Sequence, residues 1–211
     1  MPKPSVVIVD HRNANISSLK NGILNVFECK LSVSSLAEDI ESADFLVLPG
    51  VGAFSDSMED LREKRIIDLL KEQALIKKKP FLGICLGMQL LFDSSMEGGF
   101  HEGLSLIPGR VEQLDLPIEY RIPHIGWNDL QIDKKTTIFD NLDNDMNFYF
   151  VHSYHAICDK EYVIAQVNYG KNLTAAVQKD NIFGFQFHPE KSQRNGMIIL
   201  ADYFKSFAEK C

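Results

Sequence analysis

Three short apolar runs set the strongest limit on what this chain can fold into: Val6-Val7-Ile8-Val9, opening at Ser5, then Phe45-Leu46-Val47-Leu48, then Phe81-Leu82-Gly83-Ile84. A strand with one wet face alternates polar and apolar residues, whereas an unbroken apolar run needs both faces dry. Helical periodicity fills the intervals. Ile16, Leu19, Lys20, Ile23, Leu24 and Phe27 recur at helical spacing over residues 16–27, behind Asn15 as a candidate cap, and residues 55–78 carry the same period. Strands alternating with helices predict a parallel sheet built by right-handed crossovers. The second half reads differently. Residues 147–157, 162–169, 173–179 and 182–187 are strand-like, with turn residues Asn168-Tyr169-Gly170 and Asp180-Asn181 between them. They predict antiparallel hairpins extending or flanking the parallel sheet. A closing helix over about residues 193–209 puts Ile198, Ile199, Ala201, Tyr203, Phe204 and Phe207 largely on one face. The expected architecture is an α/β sandwich, residues 1–211 as one domain: a mostly parallel sheet flanked by helices, with an antiparallel extension. Ligands of such sheets sit at the carboxyl ends of the strands.

Composition narrows the function classes. The net charge of −7 argues against a nucleic-acid backbone or an anionic membrane surface as partner, and Lys77-Lys78-Lys79 reads as the solvated end of a helix. No segment approaches the roughly 18 apolar residues of a membrane span, and Met1-Pro2-Lys3-Pro4 leads into a strand without a signal-peptide pattern. The expected location is the cytoplasm. Four cysteines, Cys29, Cys85, Cys158 and Cys211, are scattered without a C-x-x-C pair, which speaks against a zinc knuckle or a disulfide framework. No ligand cluster at metal spacing is visible, so neither a metal nor an organic cofactor is expected.

Cys85 stands apart. It lies in Gly83-Ile84-Cys85-Leu86-Gly87-Met88-Gln89, between a buried strand and a helical segment that reads as amphipathic. G-x-C-x-G there is the cysteine form of a nucleophile elbow. The sharp turn strains the central residue and holds its side chain clear of the sheet, while the glycines avoid collisions with adjacent backbone. Amides of the helix start point at the sulfur, favouring thiolate, and that of Leu86 can receive an oxyanion. Taken alone, the pattern also fits a structural cysteine in a glycine-containing turn.

A cysteine nucleophile needs a base, and the base an orienting group. Of six histidines, His188 ends the strand-like run Ile182–Phe187 and is followed by Pro189-Glu190. Residues two apart in an extended segment point the same way, so the carboxylate can accept the imidazole N–H and set its tautomer. His-Pro-Glu alone could equally be a turn with a surface glutamate; with the elbow, in the order Cys, His, Glu, it points to a triad.

With these residues the chain resembles the class I (triad) glutamine amidotransferase domain, a flavodoxin-like sandwich. A third shared element is Pro49-Gly50-Val51-Gly52-Ala53-Phe54, which otherwise reads as a turn after a strand. Arg121-Ile122-Pro123-His124-Ile125-Gly126-Trp127-Asn128 and Phe148-Tyr149-Phe150-Val151-His152-Ser153-Tyr154 are similar to the glutaminase-subunit family of imidazole glycerol phosphate synthase, the likeness running from Val6 to the final helix. The resemblance implies hydrolysis of L-glutamine by Cys85, His188 and Glu190. It implies oxyanion and substrate contacts from Gly50, Val51, Gly52, Leu86, Gln89, Ser153 and Tyr154. It further implies a heterodimer with a (β/α)8-barrel cyclase subunit that receives the ammonia in histidine biosynthesis, with Asn15, Trp127, Asn128, Tyr149 and Lys191 at or near the interface. Without it, the only tryptophan, in a Pro-His-Ile-Gly-Trp-Asn loop, reads as core. One segment departs from the family. Asp-x-Gly-x-Gly-Asn is usual after the first strand, and here Asp10-His11-Arg12-Asn13-Ala14-Asn15 has lost both glycines. Other readings are a paralogous subunit supplying ammonia to a surface-polysaccharide sugar precursor, a cysteine peptidase or γ-glutamyl hydrolase of the same fold, and a non-enzymatic regulatory subunit.

Overall fold

The computed structural model describes residues 3–11, 16–142 and 146–208. In chain order, β1 (Ser5–Val9), α1 (Ile16–Val26), β2 (Lys30–Ser34), α2 (Ala37–Ser42) and β3 (Phe45–Leu48) are followed by α3 (Phe54–Glu63) and α4 (Ile67–Lys71). Next come β4 (Phe81–Ile84), α5 (Leu86–Gln89), β5 (Ser94–Ser95), β6 (His101–Glu102), β7 (Arg110–Gln113) and β8 (His124–Ile132). The chain closes with β9 (Asn147–His152), β10 (Tyr154–Ile157), β11 (Val163–Tyr169), β12 (Lys171–Lys179), β13 (Ile182–Phe185) and α6 (Gln193–Ala208).

Nine strands form the main sheet in the order β2-β1-β3-β4-β13-β12-β11-β8-β9. The first five are mutually parallel, with Val7 opposite Leu46, Val47 opposite Leu82 and Ile84 opposite Phe185. From β13 outward every pairing is antiparallel. Burial explains the apolar runs. Val6 and Ile8 enter one core with Leu19 and Ile23 of α1 and Leu200 and Phe204 of α6, while Val7 and Val9 enter a second with Ile40, Leu61 and Leu70. Alternate residues of one strand thus serve two helical layers, the condition under which a strand carries no polar face.

Several expectations are corrected. Residues 55–78 form two helices, because α3 ends in a Schellman motif. Arg65 takes the left-handed conformation at φ 57°, its N–H bonds to Arg62 O, and the Ile66 N–H bonds to Leu61 O. After α4 the chain continues through a π-helical turn, Glu72–Ile76. The run 147–157 divides at Ser153, where the chain leaves the large sheet and β10 joins a small one ordered β10-β7-β5-β6. The Pro-His-Ile-Gly-Trp-Asn segment is not a loop, since His124 to Asn128 begin β8 and pair with β9. The helix after Cys85 is one turn, buried on every side instead of amphipathic. The Asn15 cap lies outside the described residues.

Candidate active site

The β4–α5 junction carries the elbow. Cys85 has φ 55° and ψ −112°, a conformation non-glycine residues rarely hold unless the surroundings enforce it. Here they do. The Cys85 N–H bonds to Phe185 O at 2.7 Å. A Cβ on Gly83 would lie 2.6 Å from Gly87 O, and one on Gly87 would lie 1.8 Å from Leu48 O. The two glycines let the turn press against itself and against the end of β3. The thiol is 6% exposed, with Sγ 3.8 Å from Val151 O and 3.9 Å from Gln186 Nε2.

His188 follows β13, and its N–H bonds to Tyr149 O at 3.0 Å. Its Nδ1 is 2.8 Å from Glu190 Oε1, and both side chains are 3% exposed. They meet differently than expected. Pro189–Lys191 is a 3-10 turn, not an extended segment, and the turn swings the carboxylate back beneath the ring. Ser192 Oγ secures it by donating to His188 O at 2.6 Å and accepting the Tyr149 N–H at 3.0 Å. Because a carboxylate accepts, Nδ1 carries a proton and Nε2 is left for the sulfur side. Nε2 is buried and has no hydrogen-bond partner among the described residues. Burial works against a charged ring, but the Cys85 sulfur and the Glu190 carboxylate outweigh it and push His188 up to about 9. Glu190→Gln removes one of the groups raising that value, so an NMR titration of the imidazole is expected to show it lower. The rate loss should stay below that of His188→Ala, because an amide can still hold the ring, but can reach about 10⁴-fold, because an amide also accommodates the wrong tautomer. A Gln variant as impaired as the Ala variant would refute an orienting role.

Cys85 and His188 open into a cleft of about 360 Å³, whose walls include Val51, Gly52, Leu86, Gln89, Ser153, Tyr154 and Lys191. Gly50 lies beneath the wall, where a Cβ would come within 2.9 Å of Leu86 Cβ. Gln89 spends its amide nitrogen on Tyr154 O at 2.9 Å and Gln186 Oε1 at 3.0 Å, leaving its carbonyl oxygen for a ligand. Glu97, Val151 and His152 also line the cleft and were not foreseen. Glu97 accepts the Phe54 N–H at 2.8 Å and, among the described residues, is the only carboxylate in the lining. It sits in a short segment before Gly98-Gly99 that gives no periodic signal. His152 donates through Nδ1 to Tyr154 O at 2.8 Å, and its Nε2 lies 3.0 Å from Nδ1 of buried His124. Burial lowers His152 to about 3, so this ring stays neutral.

Four of the five expected interface residues lie among the described residues. Trp127 is 42% exposed, its ring centroid 5.8 Å from that of Tyr149. Lys191 Nζ stands 5.8 Å from the other ring's centroid, and Tyr149 in turn lies 6.5 Å from the His188 ring. Asn128 is half-buried, with Oδ1 2.7 Å from His124 Nε2. Asn15 lies outside the described residues. Among those described, no group of three or more His, Cys, Asp or Glu side chains could hold a metal ion, and no helix is long and apolar enough to cross a membrane.

Residues 7–206 match the family described as glutamine amidotransferase class-I. The imidazole glycerol phosphate synthase subunit HisH 2 of Vibrio vulnificus (strain YJ016) is 48% identical over 198 residues, covering 94% of this chain and 92% of that protein. Subunit HisH 1 of Campylobacter jejuni (strain RM1221) is 42% identical over 203 residues, covering 95% and 99%. A crystal structure of a glutamine amidotransferase from Thermotoga maritima superposes with a TM-score of 0.62 at 18% identity, covering 100% of this chain and 86% of the other, a likeness of fold alone. The chain belongs to the class-I glutamine amidotransferase family, among the HisH glutaminase subunits of imidazole glycerol phosphate synthase.

Proposed function

We propose that Cys85, His188 and Glu190 are the triad by which this chain, as one cytoplasmic glutaminase domain, hydrolyses L-glutamine. The ammonia passes to a (β/α)8-barrel synthase subunit that makes imidazole glycerol phosphate and AICAR in histidine biosynthesis. The carrying observation is the convergence of a strained, buried thiol and a carboxylate-held imidazole at the floor of one cleft. The cleft wall suits the substrate: Glu97 can meet the α-ammonium group, and the Gln89 carbonyl oxygen and Ser153–Tyr154 supply further polar contacts.

The Cys85 thiolate attacks the side-chain amide carbon, forming a C–S bond and an oxyanion that the Leu86 amide and the Gly50–Gly52 loop receive. His188 donates its Nε2 proton to the departing nitrogen, and ammonia leaves with the broken C–N bond. The γ-glutamyl thioester remains. His188, now neutral, removes a proton from water as its oxygen attacks the thioester, and glutamate leaves as the thiolate reforms.

The face that carries exposed Trp127 beside half-buried Tyr149 and Lys191, one ring from His188, supports docking of the barrel there. The decisive experiment measures glutaminase turnover of the purified chain alone and with its barrel partner carrying an acceptor analogue. About 100-fold activation is expected, a coupling of roughly 2.7 kcal/mol, because the glycine-rich oxyanion loop admits more than one setting and the occupied partner favours the competent one. Full turnover without the partner would refute the gating, and cleavage of peptides instead of glutamine would refute the activity. Complementation of a histidine auxotroph lacking its glutaminase subunit tests the pathway. Failure there, with glutaminase activity intact, would favour amination of a sugar precursor.

A further inference from the structure

His11 follows β1 within the segment that departs from the family pattern, yet its side chain is turned inward and is 2% exposed. Its Nε2 bonds to the carbonyl oxygen of Pro49, the residue that opens the Pro49–Gly52 loop. A carbonyl only accepts, so Nε2 carries the proton and Nδ1 is the bare lone-pair nitrogen. Nδ1 is buried without a partner among the described residues, an arrangement a neutral ring tolerates and a doubly protonated one does not. Burial holds the pKa of His11 below the usual histidine value.

The base of this side chain is itself fixed. The Asp10 N–H bonds to Ser34 O at 3.0 Å, and Lys64, at the end of α3, donates to Asp10 O at 2.8 Å while pairing with buried Asp60 at 2.9 Å. The far end of the loop is tied as well, by Glu97 to the Phe54 N–H. Between the two ties run Gly50, Val51, Gly52 and Ala53, with Gly52 at φ 94°, a stretch with little conformational preference of its own. The peptide unit is planar, so holding the Pro49 carbonyl fixes the plane that also carries the Gly50 N–H.

We propose that His11 is a positioning residue for the oxyanion loop: its Nε2–H clamps the Pro49 carbonyl and thereby sets the amides that receive the oxyanion beside Cys85. This rests on the glutaminase reading above. A space-filling histidine could be replaced by any ring of similar size; a clamp needs the donor.

The test uses the complex with the barrel subunit. His11→Phe keeps the bulk and removes the donor, and His11→Gln returns an N–H at a similar reach. The Phe variant is expected to lose about tenfold in kcat for glutamine with KM changed by less than about twofold, because the loop amides act on the charged transition state more than on bound substrate. The Gln variant should recover most of that loss, and ammonium-dependent synthesis should be unchanged in both. An aldehyde analogue of glutamine adds the Cys85 sulfur at its carbonyl carbon and puts its oxygen at the oxyanion position, so its affinity should fall with kcat. If the Phe variant does not fold by thermal melt, His11→Met carries the same expectation. A donor-free variant with parental kcat, a rise in KM without loss of kcat, or equal impairment of donor-free and Gln variants would each overturn the clamp. A parent complex that does not hydrolyse glutamine would overturn the glutaminase reading itself, and the clamp with it.

Discussion

Alanine at Cys85 is expected to remove glutamine-dependent turnover by a factor on the order of 10⁴ to 10⁶, the scale seen when a triad nucleophile is deleted. Synthesis from added ammonium in the barrel complex should persist, since only release of ammonia from the amide needs the thiol. The fold should survive, because the elbow is enforced by Gly83, Gly87 and the bond from the Cys85 N–H to Phe185 O, none of which involves the sulfur. The same variant removes a group that raises the pKa of His188, so that value should fall from about 9. Retained glutamine hydrolysis by the Ala variant with partner present would place the nucleophile elsewhere.

Gly87→Ala is expected to be among the most damaging single methyls at the described glycines. Its Cβ would stand 1.8 Å from Leu48 O, 2.7 Å from Leu48 C and 3.1 Å from Pro49 C, all backbone atoms that no rotamer change can clear. Either β3 and its loop or the elbow must move. A loss of about 3 kcal/mol or more is expected, read as a fall of roughly 6–12 °C in Tm for a domain of this size. Glutaminase activity should drop even where the variant is folded, because relieving the clash separates the elbow from the Pro49–Gly52 loop proposed to receive the oxyanion. Gly22→Ala is the contrast. Its Cβ would meet side-chain atoms no nearer than 3.4 Å, and the position is helical. An unchanged Tm in Gly87→Ala would show that the two segments are less tightly pressed than the structure has them.

What the sequence revealed follows from where constraint is local. The strands at residues 5–9, 45–48 and 81–84 were legible because burial on both faces writes itself as an unbroken apolar run. The Cys85 elbow and the His188–Glu190 pair were legible because each compresses a tight turn into a few residues. β2 was missed because Lys30–Ser34 is an edge strand with exposed and half-buried positions alternating, and its apolar signal is diluted accordingly. The break between α3 and α4 was invisible because a Schellman cap usually shows a glycine and this one uses Arg65. Glu97 and the His124–His152 pair were not foreseen as cleft features, since the small sheet and the β8–β9 pairing that position them are tertiary products without a local period.

Trp127 is the only tryptophan in the sequence. It stands partly open on the face that flanks His188, in edge contact with the Tyr149 ring. The molecule therefore carries a single indole fluorophore where the proposed docking face meets the proposed site of chemistry. Covering that face dries the indole, and moving the Tyr149 ring alters its quenching, so both events register in one emission band. Docking and turnover can be followed on the same unlabelled sample, against a background to which no other tryptophan of this chain contributes.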